Sequence, residues 1–198
     1  MLLAQRGAAR VSSRWRATSQ STSSTGTGVR NPPILWSCST PVVSSLHVIL
    51  VEPEIHWNTG NIGRTTLAAG ADLHLVEPLG FSLDDHYLHR AGLDYWPRVR
   101  LRVWPSWAAV EEKLPGLGEP FFFSSHGARS FWEVAYPDDV ALIFGRESVG
   151  LPEDLLARHA ARTLRIPMAE RNMRSLNLST TVGVAMFEVA RQRAGVRP

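Results

Sequence analysis

The chain has 198 residues, enough for one domain with an appendage and for a hydrophobic core that needs neither disulfides nor metal ions. A single cysteine, Cys38, excludes a disulfide framework. The sequence also contains no run of about 18 apolar residues, the length needed to span a bilayer. The formal net charge is +3, but residues 1–45 hold five arginines and no acidic residue, so residues 46–198 sum to −2 and have little general attraction for nucleic acid.

The N-terminal segment differs in composition from the rest of the chain. Residues 1–45 are rich in Ser, Thr, Gly and Arg and show little periodicity, which is typical of a disordered extension. An Arg-rich segment without acidic residues is also typical of an organellar transit peptide, and both interpretations stay open. We therefore predict a leader over 1–45 and a folded domain over 46–198. The protein is expected to be cytoplasmic, or mitochondrial or plastid if the leader is a transit peptide.

Beyond the leader, short apolar runs alternate with segments of helical pattern. Strands are predicted over 46–51, 71–76, 98–104, 120–125, 140–144 and 163–166. Helices are predicted over 58–69 with Asn58 as its N-cap, from Ser82, from Pro105 to Leu114, and over 152–159 and 178–194. Near-continuous apolar strands that alternate with helices predict an α/β fold with a parallel sheet and right-handed crossovers.

Three polar segments follow predicted strands, where α/β sheets place their functional sites. The first is Glu-Pro-Glu at 52–54 followed by Asn-Thr-Gly-Asn-Ile-Gly-Arg at 58–64. The second is Ile-Phe-Gly-Arg-Glu-Ser-Val-Gly-Leu-Pro at 143–152. The third is Ile-Pro-Met at 166–168 followed by Arg-Ser-Leu-Asn-Leu-Ser at 174–179.

Each segment has an ordinary structural interpretation beside a functional one. Residues 58–64 fit the start of an N-capped helix, but Arg64 also offers forked donors that bind phosphate. Residues 143–152 fit a common βα turn in which Gly145 permits a close backbone approach. Glu147, placed among backbone donors, can bind an amine or hold a loop.

Taken together and in this order, the three segments resemble the SPOUT, or α/β-knot, RNA 2'-O-methyltransferases over about residues 46–193. Within that family the likeness is greatest to small bacterial enzymes that methylate the wobble ribose, position 34, of tRNA. The resemblance implies a parallel-sheet α/β knot with a C-terminal trefoil knot, S-adenosyl-L-methionine as cofactor, tRNA as substrate, and a homodimer whose active site uses both subunits. One alternative is another tRNA or rRNA site. A second is a catalytically silent RNA-binding knot protein, because Phe187 stands where relatives often carry tyrosine.

The resemblance also implies roles for individual residues. Arg64 is expected beside the target ribose as the essential arginine, and Asn61 is expected to orient the same loop. The residues expected at the cofactor are Phe123, Gly145, Glu147, Ile166, Ser175 and Asn177. The apolar side of the last helix, with Val182, Met186 and Val189, offers a face for the subunit interface.

Other chemistries have weaker support in the sequence. His86 and His89 lie three residues apart near two aspartates, but no further spaced ligands follow, which favours a surface helix over a metal site. The sequence has no P-loop, no Gly-x-Gly-x-x-Gly after the first strand and no Gly-x-Ser-x-Gly elbow. Nucleotide hydrolysis, dinucleotide binding and α/β-hydrolase chemistry therefore lose their main sequence support.

Overall fold

The computed structural model describes residues 44–83, 95–170 and 172–195. The strands in these ranges are β1 Leu46–Val51, β2 Asp72–Val76, β3 Leu101–Trp104, β4 Glu119–Phe123, β5 Arg129–Ser130, β6 Val140–Phe144 and β7 Thr163–Arg165. The α-helices in the same ranges are α1 His56–Ala69, α2 Trp107–Lys113, α3 Glu153–Arg158 and α4 Leu178–Arg193. The predicted leader, the helix predicted from Ser82 and the His86/His89 pair lie mostly or wholly outside the described residues.

The strands form one parallel sheet in the order β3-β2-β1-β6-β4-β7-β5, which confirms the predicted α/β class. Every residue of β1 and β6, at the centre of the sheet, is buried. This explains why both strands appear in the sequence as unbroken apolar runs. The strand order changes direction beside β1, so the carboxyl ends of the central strands border a crevice. The trefoil knot stays a prediction.

Two hydrophobic clusters cover the two faces of the sheet, because successive strand residues point to opposite sides. One cluster includes Ile62 of α1 and Val182 and Met186 of α4. The other includes Val110 of α2 and Leu155 of α3. The helices that carry the first and third polar segments therefore pack on the same face of the sheet.

One prediction about the last helix, α4, is wrong. Its apolar side does not form a subunit interface, because Val182, Met186 and Val189 are fully buried in the core of their own chain. The exposed apolar residues of α4 are Val184 and Phe187 instead. The 3.6-residue pattern identified the buried side correctly, but a pattern alone does not say which surface covers it.

Two local predictions near helix and strand starts are also wrong. Asn58 is not an N-cap: α1 begins two residues earlier, at His56, and its N-cap Ile55 makes no side-chain hydrogen bond. Strand β3 begins at Leu101 rather than at residue 98, because residues Trp96–Arg98 form a 3-10 turn. The short strand β5 was not predicted, since two residues are too few for a periodic pattern.

A chain of buried polar rings crosses β1, β2 and β3. The indole N–H of Trp104 donates to Nδ1 of His74 at 3.0 Å, and Nε2 of His74 lies 3.0 Å from Nδ1 of His47. Indole is only a donor, so His74 accepts at Nδ1 and carries its proton on Nε2, which donates to His47. Both imidazoles are therefore neutral. Burial and then the nearby His47 lower the pKa of His74 from 6.5 to about 4.

Protonation of this ring chain should destabilise the fold in acid. The unfolded chain binds more protons than the native one between pH 6.5 and about 4. The contribution of neutral His74 to the free energy of unfolding is therefore complete above pH 6.5. It is lost as the pH falls toward 4, which lowers the free energy of unfolding by on the order of 3 kcal/mol. Urea unfolding across this range should show a smaller pH dependence for His74→Gln, which keeps a donor and an acceptor but does not titrate. The exposed His126→Gln is the matched control and should keep the wild-type dependence. An unchanged dependence in His74→Gln would contradict this account.

Within the described ranges, no helix combines the length and the apolar character needed to cross a bilayer. Nor do the described residues bring together three or more His, Cys, Asp or Glu side chains in a group that could hold a metal ion.

Candidate functional site

A cavity of about 670 Å³ lies beyond the carboxyl ends of β4, β6 and β7. Its lining comes from the start of α1, from residues 123–126, from residues 144–151, and from the segment between β7 and α4. All three polar segments singled out in the sequence therefore contribute to one cavity. Its volume is typical of a site for a small organic ligand or cofactor.

The carboxylate of Glu147 holds the start of α1. Its Oε2 accepts a hydrogen bond from the Glu54 N–H at 2.8 Å, and its Oε1 accepts bonds from Asn58 Nδ2 at 2.9 Å and from the Ile55 N–H at 3.3 Å. Because α1 has no capping side chain of its own, Glu147 supplies the negative charge that stabilises a helix N-terminus. Of the two roles left open by the sequence, holding a loop is the one that these contacts support.

A reciprocal contact joins the same two loops. The Glu54 carboxylate accepts hydrogen bonds from the Ser148 N–H at 2.9 Å and the Ser148 hydroxyl at 2.8 Å. Glu52 forms an ion pair with Arg146 beside it. Each loop thus gives carboxylates to the other, which fixes their relative position with several charge-assisted bonds.

Asn58 extends this contact to a third segment. Its Oδ1 accepts a hydrogen bond from Asn177 Nδ2 at 2.9 Å, while Asn177 Oδ1 caps α4 by accepting bonds from the Ser179 N–H at 2.9 Å and hydroxyl at 2.7 Å. The Asn58 side chain uses its donor toward Glu147 and its acceptor toward Asn177. The loops after β1, β6 and β7 are thereby tied together by one buried amide.

Gly145 permits a close approach, but the approaching group belongs to its own chain. A Cβ at this position would lie 2.1 Å from the carbonyl carbon of Gly150 and 2.2 Å from the nitrogen of Leu151. The turn between them closes through paired backbone bonds between Arg146 and Gly150. Replacing Gly145 would therefore disrupt the loop itself, so a larger side chain there does not test ligand contact alone.

The other expected cofactor residues line the cavity in two chemically different parts. Phe123 is buried and stacks on Phe144, with ring centroids 4.7 Å apart, and the half-buried Ile166 adds to this apolar part. Ser175 and Asn177 are exposed and polar and stand at the entry to α4. The cavity thus offers a flat apolar surface beside hydroxyl and amide groups.

Arg64 and Asn61 lie elsewhere on α1. Both are exposed, and neither is among the described residues that line the cavity. The guanidinium of Arg64 lies over the ring of Tyr95, 4.7 Å from its centroid, and the Tyr95 hydroxyl donates to the Gly60 carbonyl at 2.8 Å. The structure of a single chain therefore brings the six expected cofactor residues together but keeps the two expected catalytic residues outside their cavity.

The sequence did not identify the linking roles of Asn58, Glu54 and Ser148. Asn58 was assigned a local cap because Asn is common at helix starts. Glu54 and Ser148 are 94 residues apart, and a single sequence gives no signal for that pairing. The usable signal was limited to the carboxylates that both loops carry, Glu52 and Glu54 on one and Glu147 on the other.

The Asn58 link can be tested with a neighbouring asparagine as control. Asn58→Ala removes a bond to a carboxylate and leaves buried polar groups without partners, so the free energy of unfolding should fall by about 2 to 4 kcal/mol. S-adenosylhomocysteine, the demethylated form of the cofactor that the resemblance implies, should also bind more weakly, because two cavity walls lose their connection. Asn61→Ala, on the exposed side of the same helix, should change neither quantity appreciably. Urea unfolding and calorimetry measure both, and equal values for Asn58→Ala and wild type would exclude the link.

Known proteins resemble this chain over the domain that carries the cavity. The sequence model of the SpoU rRNA Methylase family matches residues 45–187. A tRNA (cytidine(34)-2'-O)-methyltransferase from Acidovorax sp. (strain JS42) is 43% identical over 154 residues, which cover 77% of this chain and 94% of the relative. A solved structure described as giving insights into the 2-OH methylation of C/U34 on tRNA is 49% identical, with a TM-score of 0.71, and the match covers 77% of this chain and 98% of that one.

A solved structure with bound cofactor is also similar to this chain. The AdoMet-bound rRNA methyltransferase from Sinorhizobium meliloti is 27% identical with a TM-score of 0.66, and the match covers 75% of this chain and 56% of that one. The matched family region spans the described sheet, the cavity and most of α4. On these grounds, the chain belongs to the SpoU methylase family of SPOUT methyltransferases.

Proposed function

We propose that the protein transfers a methyl group from S-adenosylmethionine to the 2'-hydroxyl of the wobble nucleotide, position 34, of tRNA. The observation that carries the proposal is the cavity at the carboxyl ends of β4, β6 and β7, whose walls are the family's three polar segments tied by Asn58. The Acidovorax relative and the solved structure that is 49% identical support the choice of substrate, because their names specify this nucleotide.

The cavity lining fits the chemistry of this cofactor. Adenine needs a flat apolar surface, which Phe123 and Ile166 offer, and the ribose and amino acid parts need polar groups, which Ser175 and Asn177 offer. Gly145 and Glu147 serve the cofactor indirectly, by shaping the loop after β6 and holding it against α1. When bound, the cofactor supplies a sulfonium-activated methyl group.

The residues of the chain position the RNA and stabilise charge. Arg64 binds a phosphate next to the target ribose with its forked donors and stabilises the oxyanion that forms as the hydroxyl loses its proton. Asn61, three residues earlier on the exposed side of α1, orients the same nucleotide. Phe187 has no proton-accepting group, so the proton passes to a phosphate oxygen or to water.

The proposal includes a homodimer. Arg64 is exposed and outside the cavity of its own chain, so it serves the cavity of a partner subunit. The exposed apolar side chains Val184 and Phe187 on α4 supply contact area for the partner in place of the buried face predicted from the sequence. Such an arrangement completes each site only when two chains associate.

Mapping of transferred methyl groups tests the function directly. Purified protein is incubated with tritiated S-adenosylmethionine and total tRNA, and the labelled nucleotide is located in the digested RNA. The proposal predicts label on the 2'-oxygen of nucleotide 34. Label at another position would identify a different nucleotide as the substrate. Cofactor binding without transfer to tRNA, or to rRNA in a parallel reaction, would favour a silent RNA-binding protein.

Substitution of Arg64 separates catalysis from assembly. Arg64→Ala should lower methyl transfer about 100-fold or more while dimerisation and S-adenosylhomocysteine binding stay unchanged, because the side chain is exposed in the single chain and acts on the RNA rather than on the cofactor. Arg64→Lys should restore only part of the rate, since lysine lacks the guanidinium fork. Arg162→Ala removes another exposed arginine, which is paired with Glu119, and is the control. Near-normal turnover by Arg64→Ala would refute the assigned role.

A further inference from the structure

An exposed aromatic side chain lies next to the lining of the cavity. Trp57 is 60% exposed, although the residues on both sides of the His56–Trp57 pair, Ile55 and Asn58, line the cavity. The ring of His56 lies against the indole with centroids 4.4 Å apart and also contacts Phe81 at 6.4 Å. The indole is thus supported from one side by its own chain while much of its surface faces solvent.

Trp57 shares one face of α1 with the two residues assigned to the RNA. Trp57, Asn61 and Arg64 are spaced by four and three residues, which places them in one row along a helix. All three are exposed, while residues 58–60, 62 and 63 between them are buried. With a rise of about 1.5 Å per residue, the row runs about 10 Å along the helix from the cavity rim to Arg64.

The three side chains of this row match three parts of a nucleotide. An indole stacks on a base, a carboxamide forms hydrogen bonds with a base edge, and a guanidinium binds phosphate. Base stacking is also the interaction that a domain with a net charge of −2 needs, because general attraction to the phosphate backbone is weak. The row therefore favours RNA over an apolar protein partner.

We infer that Trp57 is a stacking platform for an unpaired nucleobase of the RNA loop whose ribose is methylated. The inference rests on the proposed function for the identity of that loop. Trp57 supplies affinity for the RNA by stacking. Because it stands in one row with Asn61 and Arg64, which hold the reacting nucleotide, the stacked base lies next to that nucleotide. Its role is in RNA binding rather than in the methyl-transfer step.

Fluorescence anisotropy with a labelled anticodon stem–loop RNA tests the inference. Trp57→Ala should weaken binding about 5- to 100-fold, and Trp57→Phe should recover most of the loss because phenylalanine still stacks. Trp132→Ala is the matched control, since Trp132 is 63% exposed and outside the cavity lining, and should bind like wild type. With a stem–loop whose loop bases are replaced by abasic sites, wild type and Trp57→Ala should bind equally. Sedimentation and S-adenosylhomocysteine affinity should be unchanged.

Steady-state methylation separates this inference from the proposed function. Trp57→Ala should raise KM for tRNA by a similar factor with little change in kcat. Wild-type transfer to nucleotide 34 with an unaltered KM and RNA affinity in Trp57→Ala would overturn the inference and leave the function intact. Weaker self-association with unaltered RNA affinity of the dimer would also overturn it, by making Trp57 a subunit contact. Trp57-dependent RNA binding without methyl transfer would reject the function alone, and absence of RNA binding by wild type would reject both.

Discussion

The buried amide of Asn58 is the constraint on which the candidate site depends. It binds Glu147 and Asn177, which lie 89 and 119 residues away in sequence, and so connects the loops after β1, β6 and β7. Each of these loops alone is an irregular segment at the carboxyl end of its strand. Bound together, they hold the cavity in a single shape. This preorganisation lowers the entropic cost of ligand binding, because the loops are already ordered before the ligand arrives.

Helix α1 carries this constraint from the cavity to the molecular surface. Its buried side is packed closely: a Cβ at Gly63 would lie 2.5 Å from the ring of Trp96, and the Gly60 carbonyl accepts a bond from Tyr95. The helix therefore has little freedom to rotate, and the exposed row that begins at Trp57 keeps a fixed direction relative to Asn58. The proposed cofactor binding and the proposed RNA positioning thus share one rigid element, and rigid elements support precise sites better than loops do.

Much of the fold could be predicted because its signals are local. The apolar runs of β1 and β6 indicated buried parallel strands. The polar turns that follow these runs indicated that the cavity lies at the carboxyl ends of the strands. Long-range information was missing. The apolar side of α4 was visible in the sequence, but periodicity does not tell whether Met186 packs on its own sheet or on a second subunit. In the same way, Asn58 fitted a local cap until the distant Glu147 was placed beside it.

Hydrogen–deuterium exchange with and without S-adenosylhomocysteine tests most directly whether the three loops act as one unit. The account predicts that residues 54–58 gain protection together with residues 145–151 and 175–181 when the ligand binds, and that Asn58→Ala loses this joint response. Protection confined to residues 145–151, or a joint response that persists in Asn58→Ala, would contradict the central role assigned to that amide.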